Sequence, residues 1–507
     1  MQGKSTMKLS LLSGFLLLAV CTSCHAGGPV REPAVAGQFY PADSTELRLA
    51  VNRYLGEALP RRAGKPLAII VPHAGYVFAG QIIADAFKQV EGQSYDLIVV
   101  LGTNHTTAGF HGVSVYPKGS FKTPLGEVAV DEDAADALLK ADQDCVDDPR
   151  LHEKEHSVEV ELPFVQTLFP RVPILPMVIG DPDLEMCTRL GNALVQVTRG
   201  LKVLIVASSD LTHYPKYSDA RRVDAETLKA VATLDAAAVV AVSDKEMAAH
   251  VPALVTCACG EGPILTAIVA AKELGAEGGA VISYANSGDA SLGDPGRVVG
   301  YGAVALTANA SVDTSALQWQ ESDSTATLSR DDEKALLAFA RKSIEWYATS
   351  ETAPFPRGYS AGAMLREGVF VTLSENGELR GCIGHMEGNL PLCHVVGNMA
   401  IAAAFEDRRF SPVRTDELGK ITIEISVLTP MKRISDAGKI RVGTDGVFMR
   451  KGDHSAVFLP QVATEQKWSR EQMLGYLSLK ADLPEDAWKE GAEFSTFQAI
   501  VFSENDF

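Results

Sequence analysis

Three runs of buried-strand type each feed directly into a short polar segment that carries a histidine. LAIIV at 67–71 leads into Pro72-His73-Ala74-Gly75-Tyr76, LIVVL at 97–101 into Gly102-Thr103-Asn104-His105, and KVLIVA at 202–207 into Ser208-Ser209-Asp210-Leu211-Thr212-His213. Strands of a parallel sheet are covered on both faces and so read as unbroken aliphatic runs. Open α/β sheets bind ligands at the carboxyl ends of such strands. The pattern therefore predicts one sheet with His73, His105 and His213 gathered at one edge.

Further aliphatic runs at 173–179, 279–284 and 298–307 alternate with helical stretches such as DAADALLKA, SDARRVDAETLKAVATL and GPILTAIVAAKEL. This alternation over 30–308 predicts an α/β sandwich around a central sheet. Residues 309–332, rich in Ser, Thr and Asp, read as a linker. A second domain over 333–507 opens with the amphipathic stretch EKALLAFARKSIEWYAT and continues in short strands; Asn376-Gly377 between two of them signals a hairpin. That half is expected to be α+β with an antiparallel sheet. A chain of 507 residues exceeds one ordinary core, in keeping with two domains.

Acidic residues outnumber basic ones, 64 to 46, for a formal charge of −18, and no basic stretch is interleaved with aromatics. Nucleic acid is excluded as an expected partner. Residues 1–26 read as an export signal, with Lys4 and Lys8 before the short apolar run LLSGFLLLAV. Cleavage after Ala26 gives a secreted, periplasmic protein; cleavage before Cys24 gives one lipid-anchored to the envelope, the one expected route to a membrane. The six cysteines beyond this region are too irregularly spaced for a disulfide framework.

A metal held by imidazoles needs donors converging from rigid elements. His73 and His105 are the best-placed candidates, although each alone also fits a structural histidine. Cys259, in Thr256-Cys257-Ala258-Cys259-Gly260-Glu261, directly precedes an apolar helix whose N-terminus favours thiolate. It is a candidate third ligand, with bridge formation to Cys257 or simple packing as alternatives. Two imidazoles and a thiolate suit iron, copper or zinc. His152-Glu153-Lys154-Glu155-His156 matches the H-E-x-x-H pattern of zinc proteases. Its charged surroundings, with Pro149 just upstream, make that the minor alternative; His156 and Glu159 read instead either as one face at the start of the following helix, close enough to the cleft to bind or orient a ligand, or equally as a solvated charged first turn.

These residues lie within an extended resemblance to the Memo family: RxPAVAGQFYPAD at 31–43, PHAGYVFAG at 72–80, LGTNH at 101–105, EHSVEVELPF at 155–164, SSDLTHY at 208–214 and CGEGPI at 259–264. The resemblance implies a fold similar to class III extradiol dioxygenases, with His73, His105 and Cys259 as metal ligands and Asp210 and His213 as catalytic residues of the cleft. Tyr76, Asn104 and His156 are its further cleft-binding candidates. Where the dioxygenases use a carboxylate, a thiol stands here. Memo-like proteins are also credited with peptide binding, so a scaffold or metal-delivering role is the alternative to redox or oxygen-handling catalysis.

LRGCIG at 379–384, AAFEDRRFSPV at 403–413 and GVFMRKGDHSAVFLPQVATEQKW at 446–468 resemble the AMMECR-type domain. Both families occur with a radical SAM protein in the AmmeMemoRadiSam arrangement, which implies that protein as a partner beside an unidentified small molecule or peptide. Within the second domain, Cys382 beside Arg380 is a candidate activated thiol, with buried packing the commoner reading of such a strand cysteine, and Arg380, Arg408 and Arg409 either hold an anion or hold Glu406 and Asp407 in surface pairs.

Overall fold

A computed structural model describes residues 28–507 apart from 63, 291–292, 309–310, 318–325, 387 and 389. The stretch expected to be an export signal and part of the expected linker thus lie outside the described residues. The first domain begins with β1 (Val30–Arg31), α1 (Ser44–Glu57), β2 (Pro66–Val71), α2 (Tyr76–Lys88) and β3 (Leu97–Thr103). It continues through β4 (Val113–Val115), β5 (Ser120–Thr123), β6 (Gly126–Ala129), α3 (Glu132–Ala141), β7 (Cys145–Val146) and α4 (Leu162–Leu168). It closes with β8 (Ile174–Ile179), α5 (Leu184–Val197), β9 (Val203–Ser208), α6 (Tyr217–Ala232), α7 (Ala236–Ala248), α8 (Glu261–Glu273), β10 (Gly278–Asn286) and β11 (Gly300–Thr307).

Eight strands form the central sheet in the order β10-β11-β2-β9-β3-β8-β4-β7. Its heart, β2-β9-β3-β8, is parallel, and Val71 pairs with Ser208 while Leu101 pairs with Ala207. The segments after β2, β9 and β3 therefore emerge side by side. Successive side chains alternate faces: Ala68, Ile70, Val99 and Leu101 pack on one side with α5, α6 and α8, and Ile69, Val71, Ile98 and Val100 on the other with α1, α2 and α4. Both faces of these strands meet apolar side chains, which is why the strands read as unbroken aliphatic runs. Strands β1, β5 and β6 form a separate small sheet.

The second domain contains α9 (Arg330–Ser350), β12 (Gly368–Glu375), β13 (Glu378–His385), α10 (Leu392–Phe405), β14 (Ile421–Leu428) and β15 (Lys432–Ile434). It ends with β16 (Gly446–Lys451), β17 (His454–Phe458), α11 (Pro460–Glu465), α12 (Arg470–Lys480), β18 (Glu493–Phe497) and β19 (Ala499–Ser503). Two antiparallel sheets result, β13-β12-β14-β19 and β15-β18-β16-β17. The hairpin between β12 and β13 turns on Asn376 (φ 53°) and Gly377 (φ 86°), the left-handed pair that such a turn requires.

The stretch expected as a free linker is partly structured. Asp313 pairs with the edge strand β10, Leu317 is buried in the first domain's core, and α9 already begins at Arg330. The domains also touch directly: Trp346 of α9 meets Tyr54 of α1 edge-on at 5.5 Å, and Asn398 of α10 donates to the carbonyl of Ala290 at 3.2 Å. No helix among the described residues is long and apolar enough to cross a membrane.

Candidate metal centre

His73 follows β2 by two residues and Asp210 follows β9 by two, so the parallel register sets them together. The Asp210 carboxylate accepts from the backbone N–H of His73 at 2.8 Å and of Ala74 at 3.3 Å, fixing the turn that presents the imidazole. The His73 ring is buried, with Nδ1 2.9 Å from Ser208 Oγ. Burial, then the neighbouring His156, His105 and His213, holds His73 well below the ordinary histidine pKa, so it stands as a neutral donor.

His105 emerges from β3 onto Glu155, whose carboxylate accepts from the His105 N–H at 2.7 Å and lies 3.0 Å from its Nδ1. Burial alone lowers the His105 pKa, but the Glu155 hydrogen bond and charge outweigh it and the net shift is upward. Burial acts on Glu155 in the opposite sense and is overcome by His105, His156 and the Ser157 N–H, leaving its carboxyl at about 2. Glu155 is therefore an anion under the site.

His156, the residue after Glu155, completes a cluster with ring separations of 5.1 Å (His73–His105), 5.3 Å (His73–His156) and 4.6 Å (His105–His156). Its Nδ1 lies 3.5 Å from Glu155, and burial lowers its pKa to about 4. The segment carrying it closes against β3 at Gly102, where an added Cβ would stand 2.6 Å from Ser157 Oγ. Three potential ligand atoms, one from each imidazole, lie within 4.8 Å of one another. Each Nδ1 faces an oxygen, the arrangement that commits Nε2 to a metal.

Cys259 Sγ is 3.2 Å from His73 Nε2 and 3.6 Å from the Asp210 carbonyl. The following Gly260 permits this approach, since a Cβ there would lie 2.4 Å from the Ser208 carbonyl oxygen. The helix N-terminus does not by itself make the thiol acidic. Burial, then the Asp210 charge, pushes Cys259 well above the usual thiol range, so a cation in the site is what would draw the thiolate out. Two ligands of one tetrahedral ion stand roughly 3.3–3.6 Å apart given typical metal–N and metal–S bonds, so the 3.2 Å spacing fits that use with little movement. His213 is half-buried, its Nδ1 3.0 Å from the Leu211 carbonyl, and burial raises the Asp210 carboxyl.

Other sequence candidates lie elsewhere. Tyr76 is buried and donates to the Val160 carbonyl at 2.9 Å, a packing role. Asn104 folds onto its own loop, accepting from Thr106 and Thr107 and donating to the Thr107 carbonyl. Glu159 is buried with its carboxylate paired to Arg31 and accepting from Tyr40 and the Ala34 N–H, so it acts on the neighbouring His156 only through its charge. His152 is not a partner of His156: it is buried against Tyr116 and Phe121, with Nε2 at the Ser114 oxygens, and no single helix spans 152–156. The zinc-protease geometry is thereby absent.

In the second domain Arg380 turns away from Cys382 to pair with Glu417 at 3.2 Å and to donate to the Ser411 carbonyl at 2.9 Å. The neighbours of Cys382 are Thr372, whose hydroxyl lies 3.3 Å from Sγ, Asp407, which accepts its N–H, and Arg409, which donates to its carbonyl. Arg408 is exposed. Glu155 and Ser208, the groups that orient the imidazoles, carried no recognisable signal in the sequence beyond their proximity to the motif histidines.

Residues 31–305 match the family described as Memo-like protein, and residues 337–502 match AMMECR1. A MEMO1 family protein of Methanopyrus kandleri is 36% identical over 286 residues, covering 54% of this chain and 98% of that protein. One from Nitrosopumilus maritimus is 35% identical over 282 residues, again 54% and 98%. Among solved structures, an uncharacterized protein from Pyrococcus horikoshii is 34% identical, covering 35% of this chain and 93% of that one, with a TM-score of 0.34. The chain belongs to the Memo-like family and carries an AMMECR1 domain fused behind it.

Proposed function

We propose that the first domain is a transition-metal centre with a redox or oxygen-handling activity, holding iron or copper through His73 and His105 with His156 and Cys259 as the completing donors. The observation that carries this is the donor set itself: three imidazoles, those of buried His73, part-buried His156 and solvent-facing His105, whose potential ligand atoms cluster within 4.8 Å, each with Nδ1 facing an oxygen. Mixed nitrogen and sulfur donors suit iron, copper or zinc rather than magnesium or calcium.

A bound ion would supply Lewis-acid or one-electron chemistry at a position not taken by protein. The chain's own part is orientation and proton handling. Glu155 holds His105 and neutralises part of the added charge. His213 has Nδ1 committed to a carbonyl, leaving Nε2 to exchange a proton with a substrate. Asp210 fixes the His73 turn from below.

The test is metal analysis of full-length protein purified without oxygen, compared with a His73→Ala/His105→Ala pair. Near-stoichiometric iron or copper in the wild type and none in the pair is expected. Equally little metal in both preparations would remove the basis for the proposal and favour a scaffold.

A further inference from the structure

Beneath His73 lies a carboxyl group that no ligand role explains. Glu161 is fully buried; its Oε1 is 3.1 Å from Ser208 Oγ, and its Oε2 has no hydrogen-bond partner among the described residues. Ser208 Oγ is itself a junction. It stands 2.6 Å from the Ser157 carbonyl, 2.9 Å from His73 Nδ1 and 3.1 Å from Glu161.

A hydroxyl has one proton to donate and two lone pairs to accept with. The Ser157 carbonyl can only accept, and it makes the shortest of the three contacts, so the Ser208 proton goes there. The other two neighbours must then donate to Ser208. For His73 that means a proton on Nδ1; for a carboxyl group it means the protonated acid.

Resting on the metal-centre proposal above, we infer that Glu161 is kept as a neutral carboxylic acid whose donation to Ser208 holds that hydroxyl turned toward the Ser157 carbonyl and away from His73, and so locks His73 in the Nδ1–H tautomer with the Nε2 lone pair turned toward Cys259; without that donor the hydroxyl is free to turn its proton to His73 Nδ1. Glu161 is thus a positioning residue two bonds of a hydrogen-bond chain away from the ligand. Three further observations agree. The orphaned Oε2 is tolerable as the carbonyl of a neutral acid, whereas a buried carboxylate with a bare oxygen would be costly. No ion-pair partner is found for Glu161 among the described residues, and the charge that acts on it is the like charge of Asp210. Burial drives its pKa well above the ordinary carboxyl range.

The logic also distinguishes Glu161 from Glu155. Glu155 orients His105 and His156 as an anion, and Asp210 adds its charge beside Cys259. A neutral Glu161 orients without adding a further charge, and the affinity of the site for a dication is set by Glu155, Asp210 and the thiol.

Two measurements on the full-length, metal-free protein at neutral pH test this. Infrared difference spectroscopy between wild type and the isosteric Glu161→Gln should show the carbonyl stretch of a protonated acid; carboxylate bands in its place would overturn the inference, and this comparison needs no disruptive variant. Histidine 15N NMR should show His73 protonated on Nδ1 in wild type and in Glu161→Gln, whose amide also donates, and a mixture of tautomers in Glu161→Met. An unchanged tautomer in a folded Glu161→Met protein would equally overturn it. Cobalt(II) titration should then show affinity kept in Glu161→Gln and lowered about 10–100-fold in Glu161→Met. If wild type binds no cobalt while the tautomer is locked, the metal-centre proposal fails and the Glu161 assignment stands.

Discussion

The sulfur of Cys259 lies 3.2 Å from Nε2 of His73, although the two residues are separated by 186 positions in the chain. The thiol is held neutral by burial and by Asp210, so the contact is a waiting one: a metal must displace the proton before sulfur can ligate. Cobalt(II) reports this directly. The wild-type cobalt complex should show a sulfur-to-metal charge-transfer band that is lost in Cys259→Ser, while the visible ligand-field bands persist through the imidazoles. Loss of both sets would mean that the histidines alone do not hold the ion.

Glu155 makes three hydrogen bonds at the site, with the His105 N–H, the His105 ring and the Ser157 N–H at 2.7, 3.0 and 2.9 Å, and lies 3.5 Å from His156 Nδ1. Glu155→Gln keeps the shape but removes the anion and mismatches a donor against one of these N–H groups. Outer partners of metal-bound imidazoles typically matter by about 10–100-fold in affinity. Isothermal titration with cobalt(II) should find a loss of that size, with the melting temperature shifted far less than the affinity.

The central strands were legible because β2, β3 and β9 are each buried on both faces, and their shared polar exits foretold where the histidines meet. Helix α2 was harder to read: ten of its thirteen residues are buried, leaving no polar stripe to betray a 3.6-residue period. The short β4 and β7 offer too few residues for any period. At the site, His156 was placed beside the cleft but outside the ligand set, because its charged neighbours look solvated; only the fold reveals that Glu155 is buried beneath two imidazoles. Expecting an acidic Cys259 weighed the helix terminus alone, whereas burial and Asp210 decide the outcome. Arg380 was matched with Cys382 by adjacency, but along a strand side chains two apart share a face without pairing, and Glu417 claims the guanidinium.

A pH dependence follows from Asp224 on α6. This fully buried carboxyl accepts from the Thr212 N–H at 2.9 Å, the Thr212 hydroxyl at 3.0 Å and the Tyr284 hydroxyl at 2.8 Å, yet burial outweighs them and raises its pKa to about 7. An acid whose folded pKa lies above its unfolded value near 3.9 binds more protons folded than unfolded. Stability is therefore greatest below the unfolded value and falls as pH rises from about 4 to about 7, by an amount of order 4 kcal/mol. Urea denaturation across that window should show the decline in wild type and a flatter profile in Asp224→Asn.

The domain junction rests on a second buried carboxylate. Asp85 of α2 is fully buried, accepts from the Leu59 N–H at 2.9 Å, and is clamped by both terminal nitrogens of Arg357, one of them at 2.8 Å, from the segment that follows α9. Removing one partner of a buried pair leaves an uncompensated charge and typically costs about 3–5 kcal/mol; the Arg357 side chain retains some solvent contact, so the lower end applies. Arg357→Ala should therefore lower the melting temperature of the full chain markedly. Arg357→Lys should recover only part, because one ammonium cannot reproduce the forked contact. Adding Asp85→Asn to Arg357→Ala should restore stability relative to Arg357→Ala alone, since the stranded charge is gone. If the double variant melts no higher than the single one, the contact is ordinary packing at the junction and the carboxylate carries no special cost.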